Sequence, residues 1–181
     1  MKARVLLDTD LLDLTITRLC YELIENYGDF ADSAIIGVQP RGAIFAEHLL
    51  SKLRTLTTKP ISFGKIDPTF HRDDFRRGDD LLQAKTTEID FTIEGKKILL
   101  VDDVLFTGRT IRSAMDALIS FGRPSKVELL TLIDRRFNRE LPIQADYLGI
   151  TVDTVESVKV KVEWENDTDV TKNIVWILKD K

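Results

Sequence analysis

The sequence predicts an α/β domain whose central sheet is mostly parallel and flanked by helices. Short apolar runs at 34–38, 97–101 and 127–133 are predicted to be strands, and amphipathic stretches at 44–53 and 108–121 are predicted to be helices. Strands that alternate with helices indicate a parallel sheet, because parallel neighbours need a crossover connection. Ligands of such sheets bind where strands end and helices begin.

The other elements follow from similar patterns. Apolar residues recur at helical spacing from Asp10 to Tyr27, where Asp10 can cap the first turn and Gly28 can close the last. A strand is predicted at 61–66, and another is predicted to begin at 146–148. Two C-terminal strands are predicted at 158–162 and 174–178, with a polar turn through 166–167 between them.

The segment Asp67–Glu88 is long, polar and rich in Asp and Arg. A stretch of this length inside a compact domain is usually functional or mobile. Its part from Asp74 to Glu88 is therefore the candidate for a loop that closes over a bound substrate.

Length and composition indicate one globular domain, residues 1–181. The net charge of −4 argues against non-specific nucleic-acid binding as the main function, because such binding depends on an excess of Lys and Arg. The single cysteine, Cys20, is predicted to be a buried apolar residue. The sequence shows neither an apolar signal core near its start nor a stretch of about 20 apolar residues, so the protein is predicted to be cytoplasmic.

The segment 97–110 is the most informative in the chain. After a run of apolar residues come two carboxylates, Asp102 and Asp103, and then a loop with Thr107 and Gly108 that opens a helix. A helix N-terminus presents unpaired N–H groups and the positive end of the helix dipole, so it suits a phosphate group. The carboxylates would repel that phosphate, and they suit hydroxyl groups, such as those of a ribose, or a metal ion.

The residues alone leave two other interpretations of this segment open. Acidic strand ends also occur in receiver-like and Mg²⁺-binding domains, and Asp and Thr residues cap ordinary strand-to-helix turns. The pattern Gly-x-x-x-x-Gly-Lys-Ser/Thr does not occur, which excludes a P-loop nucleotide triphosphatase. The strand, the Asp pair and Thr-Gly-x-Thr in combination favour a site for ribose and phosphate.

The segment 101–110 resembles the loop that binds phosphoribosyl pyrophosphate (PRPP) in type I phosphoribosyltransferases. More narrowly, the stretches 102–118, 122–124, 139–143 and 145–147 are similar to the PyrR family. Its members are uracil phosphoribosyltransferases, and many also regulate pyrimidine-gene transcription by binding messenger RNA. The resemblance implies a type I phosphoribosyltransferase fold, with a core at about 10–150 and a small hood built from about 67–90 and 135–181.

The same resemblance assigns roles to individual residues. Asp102 and Asp103 would hold the ribose hydroxyls, while Arg41 and Arg72 would neutralise pyrophosphate. Mg²⁺ would be held mainly by PRPP, with Asp102 or Asp103 as candidate ligands. The base would bind within the segment Arg135–Tyr147. The residues of the two loops that would bind PRPP are Val104, Leu105, Phe106, Thr107, Gly108, Arg109 and Thr110 in one, and Gln39, Pro40 and Gly42 in the other.

One departure from the family lies in the second loop, where Gln39-Pro40 stands in place of the more common Lys-Thr. The proline restricts Gln39 to extended conformations and could place a cis peptide bond there.

The favoured function is Mg²⁺-dependent transfer of phosphoribosyl from PRPP to uracil, which gives UMP and pyrophosphate. One alternative is an RNA-binding, nucleotide-sensing regulator of pyrimidine operons with little or no catalysis, for which Thr17, Arg18 and Arg139 are the candidate RNA-contacting residues. A second alternative is a purine phosphoribosyltransferase. The resemblance also implies a homo-oligomer, a dimer or larger, for which the first helix is a candidate surface.

Four positions of the family's RNA surface are changed in this chain. Residues that are usually His, Arg, Arg and Lys are here Tyr21, Asn26, Gln144 and Ile150. Each lost cation removes a phosphate contact and lowers the salt-dependent affinity for RNA. The substitutions therefore favour the enzyme over the regulator.

Overall fold

A computed structural model describes residues 2–73, 85–153, 158–165 and 172–179. In chain order its helices and strands are β1 (Lys2–Leu7), α1 (Thr9–Tyr27), β2 (Ser33–Val38), α2 (Arg41–Leu56), β3 (Ser62–Ile66), β4 (Lys97–Leu105), α3 (Arg109–Ile119), β5 (Lys126–Arg135), β6 (Tyr147–Val152), β7 (Val158–Glu163) and β8 (Ile174–Lys179). Short 3₁₀ turns lie at Thr69–His71 and Arg136–Asn138.

The central sheet has five parallel strands in the order β3-β2-β4-β5-β6, which confirms the predicted fold class. The middle strands are buried on both faces, because α1 and α2 cover one face and α3 covers the other. Successive residues of β4 illustrate this: Leu99 packs with α1 and α2, and Leu100 packs with α3.

A second, smaller sheet is antiparallel, with the strand order β1-β8-β7. Strands β7 and β8 match the two predicted C-terminal strands, but β1 was not predicted from the sequence. It pairs with β8, as in Val5↔Trp176, far away along the chain. The predicted turn at 166–167 lies outside the described residues, as does 74–84 of the candidate closing loop.

Several predicted boundaries were wrong. Helix α2 extends three residues beyond the predicted 44–53 at each end. Helix α1 is capped by Asp8 and not by Asp10, because Asp8 has extended backbone and its Oδ1 accepts a hydrogen bond from the Leu11 N–H at 2.9 Å. Gly28 closes this helix as predicted, with a positive φ of 60°. Strand β4 runs on to Leu105, beyond the predicted end at Val101, because its pairing with β5 continues to Asp134.

Buried side chains link the layers away from the strand ends. Cys20 is fully buried, as predicted, and its thiol contacts the carbonyl oxygen of Leu49 in α2 at 3.6 Å. Trp164 is also fully buried and stacks against Phe45 and His48 of α2. These contacts attach the chain after β7 to the core. In the described part of the chain, no helix is long and apolar enough to cross a membrane.

At the amino end of β5, the buried carboxylate of Glu128 is surrounded by donors. The Tyr27 and Tyr147 hydroxyls donate to it at 2.8 and 3.0 Å. The Lys126 and Lys97 ammonium groups lie 2.6 and 3.0 Å from its oxygens. This group, here called the Glu128 cluster, ties the end of α1 to three strands of the central sheet.

Candidate active site

Two adjacent carboxylates lie buried in the last part of β4. Asp102 and Asp103 are each 7% exposed, and the Asp103 N–H donates to Oδ1 of Asp102 at 2.9 Å. Burial, and then the neighbouring Asp103 carboxylate, raise the pKa of Asp102 well above its usual value. The carboxyl oxygens of the pair accept hydrogen bonds, which suits neighbouring sugar hydroxyls that donate them.

The loop between β2 and α2 brings Arg41 to this pair. Its Nε lies 3.3 Å from Oδ2 of Asp103, and its Nη2 donates to the Val162 carbonyl oxygen in β7. Burial raises the pKa of Asp103, while the Arg41 guanidinium works in the opposite direction. Arg41 therefore connects the carboxylate pair with the small sheet.

The backbone of this loop is tightly constrained. The Gln39-Pro40 peptide bond is cis. The side-chain amide of Gln39 donates a hydrogen bond to the Thr86 carbonyl oxygen at 2.6 Å. A Cβ on Gly42 would lie only 2.6 Å from the carbonyl oxygen of Val101. Only glycine permits this approach of α2 to β4, which sets Arg41 beside the carboxylates.

The segment 106–108, here called the phosphate loop, joins β4 to α3. Gly108 has a φ of +90°, a conformation that disfavours side chains, and α3 begins at the next residue, Arg109. The Thr107 hydroxyl accepts from the Arg109 N–H at 3.3 Å. Val104 is half-buried and Leu105 buried in the strand, whereas Phe106 is exposed and Thr110 lies in the first helical turn. The N-terminus of α3 thus opens beside the buried carboxylates.

The two remaining parts of the predicted site lie near this loop. Arg72 follows the 3₁₀ turn at 69–71, and the next residue, Asp73, forms an ion pair with Arg109. In the candidate base-binding segment Arg135–Tyr147, the Arg135 guanidinium stacks on the Phe106 ring at 4.0 Å. Both contacts reach the phosphate loop or the first residue after it.

The three candidate RNA-contacting residues have separate internal partners. The Thr17 hydroxyl donates to the Asp13 carbonyl oxygen at 2.8 Å within α1. Arg18 donates to the carbonyl oxygens of residues 148 and 149 in β6 at 2.8 and 2.7 Å. Arg139 forms an ion pair with Asp134 and donates to the Phe106 carbonyl oxygen. The structure therefore gives each a role inside the fold.

Sequence reasoning missed two acidic residues that order this site. Asp134, near the carboxyl end of β5, is buried and pairs with Arg139. Glu140 accepts from Arg109 Nε at 2.5 Å. Asp134 could have been found by the same rule that identified Asp102 and Asp103, because it follows the predicted strand 127–133 at the ligand-binding edge of the sheet.

A family model described as "Phosphoribosyl transferase domain" matches residues 5–167. Proteins named "Bifunctional protein PyrR" match nearly the full length. The protein from Actinobacillus succinogenes is 44% identical, with 88% of this chain and 90% of that protein covered. The protein from Listeria welshimeri is 40% identical, with 99% of each covered. The chain belongs to the PyrR family of phosphoribosyltransferases.

Solved structures of phosphoribosyltransferases share the fold of this PyrR family member. The hypoxanthine phosphoribosyltransferase of Trypanosoma cruzi, in a ternary substrate complex, has a TM-score of 0.70 at 18% identity, with 94% of this chain and 93% of that chain covered. The enzyme from Staphylococcus aureus has a TM-score of 0.66 at 24% identity, with 86% and 79% covered. At these identities the likeness extends to the fold alone.

Proposed function

We propose that this chain transfers the phosphoribosyl group of PRPP to uracil, with UMP and pyrophosphate as products. The observation that carries the proposal is the buried Asp102–Asp103 pair, which is followed within one short loop by the open N-terminus of α3. The pair suits ribose hydroxyls and the helix terminus suits a phosphate, as in ribose 5-phosphate. The choice of uracil rests on the resemblance to the PyrR family.

In this reaction the bond from the anomeric carbon to pyrophosphate breaks and a bond to a ring nitrogen of uracil forms, while that nitrogen loses its proton to pyrophosphate or to solvent. Positive charge develops on the ribose and negative charge on pyrophosphate. Asp102 and Asp103 would orient the ribose through its hydroxyls, and the phosphate loop would hold the 5′-phosphate. Arg41 and Arg72 would stabilise the charge on the leaving group. Correct placement of ribose and base supplies the rest of the catalysis.

The residues fit Mg²⁺ that arrives with PRPP. Among the described residues, no group of three or more His, Cys, Asp or Glu side chains could hold a metal ion. Mg²⁺ is commonly bound by one or two carboxylates together with substrate phosphates, and Asp102 and Asp103 supply such oxygen ligands. When bound, Mg²⁺ would stabilise negative charge on pyrophosphate.

The test is a transfer assay with PRPP and Mg²⁺ in which uracil, hypoxanthine, guanine, adenine and orotate are offered separately. We expect turnover with uracil, and a fall of at least about tenfold in turnover for Asp103→Asn because the ribose is less well oriented. Asp116→Asn, in an exposed ion pair of α3, is the control. Full activity of a folded Asp103→Asn variant contradicts the assigned role, and turnover with purines alone supports the purine alternative.

RNA-dependent regulation is the second candidate function, because the relatives carry the name "Bifunctional protein PyrR". The exposed Phe137 ring, with the Arg136 guanidinium 5.4 Å from its centre, is a surface on which an RNA base could stack. A filter-binding titration of a pyrimidine-operon leader RNA over a salt series tests this function. Equal affinity for the leader and for a scrambled RNA at low salt would contradict it.

Self-association is part of the same proposal. Helix α1 exposes Leu11, Leu14 and Tyr21 along one stripe, which supports this helix as the contact surface. Sedimentation velocity of the wild-type chain and of Leu14→Glu is the measurement. We expect the wild type to sediment as a dimer or larger species and the variant to shift toward the monomer.

A further inference from the structure

Residues 139–143 line the outer side of the phosphate loop. The Glu140 and Leu141 N–H groups donate to the Thr107 carbonyl oxygen at 3.0 and 3.2 Å. One residue earlier in the loop, the Phe106 carbonyl oxygen accepts from Nη1 of Arg139. At the end of the loop, a Cβ on Gly108 would lie 3.3 Å from the Ile143 side chain. Every residue of the loop is therefore in contact with this segment.

These contacts determine where the loop amides point. In a planar trans peptide the carbonyl and the following N–H point in opposite directions. Because the Phe106 carbonyl oxygen is held by Arg139, the Thr107 N–H points away from the segment. Because the Thr107 carbonyl oxygen is held by two N–H groups, the Gly108 N–H does the same. The N–H groups of Thr107 and Gly108 therefore both point to the side of the loop opposite residues 139–143, where they can donate to a ligand.

The buried carboxylate of Asp134 holds the Arg139 side chain in place. Its Nη2 pairs with Oδ1 of Asp134, and the Arg139 side chain is only 18% exposed. Asp134 lies near the carboxyl end of β5, in register with Leu105 of β4 and Thr151 of β6. A guanidinium is planar and donates in fixed directions, so one group can hold a carboxylate and a carbonyl at the same time.

We propose that Arg139 is a positioning residue that aims the phosphate-loop amides at the 5′-phosphate of PRPP and of the nucleotide product. The proposal rests on the proposed function and extends it, because Arg139 then acts on substrate binding with no RNA present. It also has a specific signature. The loss of Arg139 lowers the affinity for ligands that carry a ribose 5-phosphate and leaves the affinity for uracil unchanged.

The experiment compares the wild type with Arg139→Gln and Arg139→Lys in buffer without RNA. Calorimetric titrations measure the Kd of UMP and of ribose 5-phosphate, and steady-state assays measure KM for PRPP and KM for uracil. We expect the Kd values and the KM for PRPP to rise at least about tenfold in Arg139→Gln, because small displacements of binding groups have large effects. Arg139→Lys retains one of the two contacts and is expected to lie between the wild type and Arg139→Gln.

Two further variants complete the design. Arg112→Gln removes a guanidinium from an exposed ion pair on α3 and is the matched control, with wild-type constants expected. Asp134→Asn removes the charge that holds Arg139, and it is expected to raise the Kd of UMP, as Arg139→Gln does. If Arg139→Gln fails to fold, as judged by thermal unfolding, Arg139→Lys and Asp134→Asn decide the question.

The outcomes separate the two proposals. A wild-type protein that binds neither PRPP nor UMP contradicts the proposed function. A wild-type protein that binds UMP, together with folded Arg139 variants that bind it equally well, contradicts the positioning role alone. Equal increases in KM for PRPP and for uracil also contradict that role, because they indicate a general loosening of the site.

Discussion

Replacing Glu128 with glutamine removes the charge from a carboxylate that four side chains contact. Burial raises the pKa of Glu128, but hydrogen bonds from Lys126, Tyr27, Lys97 and Tyr147 outweigh it and lower the pKa from 4.5 to about 2. The difference corresponds to about 3 kcal/mol of folding free energy at pH 7. We expect Glu128→Gln to lose about this amount, because glutamine cannot be ionised.

The pH dependence of this loss follows from the direction of the shift. A carboxylate whose pKa is lowered by folding contributes its full stability above the unfolded-state value of about 4.5, and loses it as the pH falls toward 2. At pH 3 the contribution is reduced to about 1 kcal/mol. The stability gap between the wild type and Glu128→Gln is therefore expected to narrow between pH 4.5 and pH 3.

Urea unfolding followed by circular dichroism at pH 7, 5, 4 and 3 measures this gap. The exposed Glu25→Gln variant is the control, with a change of less than about 0.5 kcal/mol expected at every pH. A gap that is the same at pH 7 and pH 3, or a gap below about 1 kcal/mol at pH 7, would refute the argument from the Glu128 cluster.

Three other predictions concern packing and reactivity. Gly42→Ala is expected to lower both Tm and PRPP affinity, because its Cβ would lie 2.6 Å from the Val101 carbonyl oxygen; a wild-type Tm in a thermal scan contradicts this. Burial raises the pKa of Cys20 to about 12, so the thiol is expected to resist a disulfide reagent at pH 8 until urea unfolds the protein. Rapid labelling of the folded protein is the opposing result. Arg18→Ala loses two hydrogen bonds to β6 and is expected to cost about 1 kcal/mol in urea unfolding, whereas no change would make these bonds irrelevant to stability.

The central sheet was predictable because its strands and helices carry local signals. Strands buried on both faces are apolar throughout, and amphipathic helices repeat at a fixed spacing, so short windows of sequence suffice. Strand β1 has no such signal, because its pairing partner β8 lies at the other end of the chain. The predicted ends of elements were wrong where tertiary contacts determine them, as in the extension of β4 along β5.

The same distinction holds for the site. Asp102, Asp103 and Gly108 belong to one contiguous motif, so the sequence alone was enough to propose them as site residues. The contact of Arg41 with the Val162 carbonyl joins the start of α2 to β7, which lie far apart in sequence, and no local pattern predicts it. Arg139 was assigned to an RNA surface by resemblance, but its direction is set by Asp134 and by the Phe106 carbonyl. Contacts of this kind depend on the folded geometry.

Strand β5 carries the Glu128 cluster near its start and Asp134 near its end. Glu128 and Asp134 are six positions apart along the strand, a distance of about 20 Å. Effects of substitutions at this distance, with no shared partners, are additive. Mutations that change substrate choice at the carboxyl end of the sheet therefore leave the folding free energy contributed by the Glu128 cluster unchanged. Successive mutations of this kind could accumulate during evolution while the amino end of the sheet keeps the protein folded.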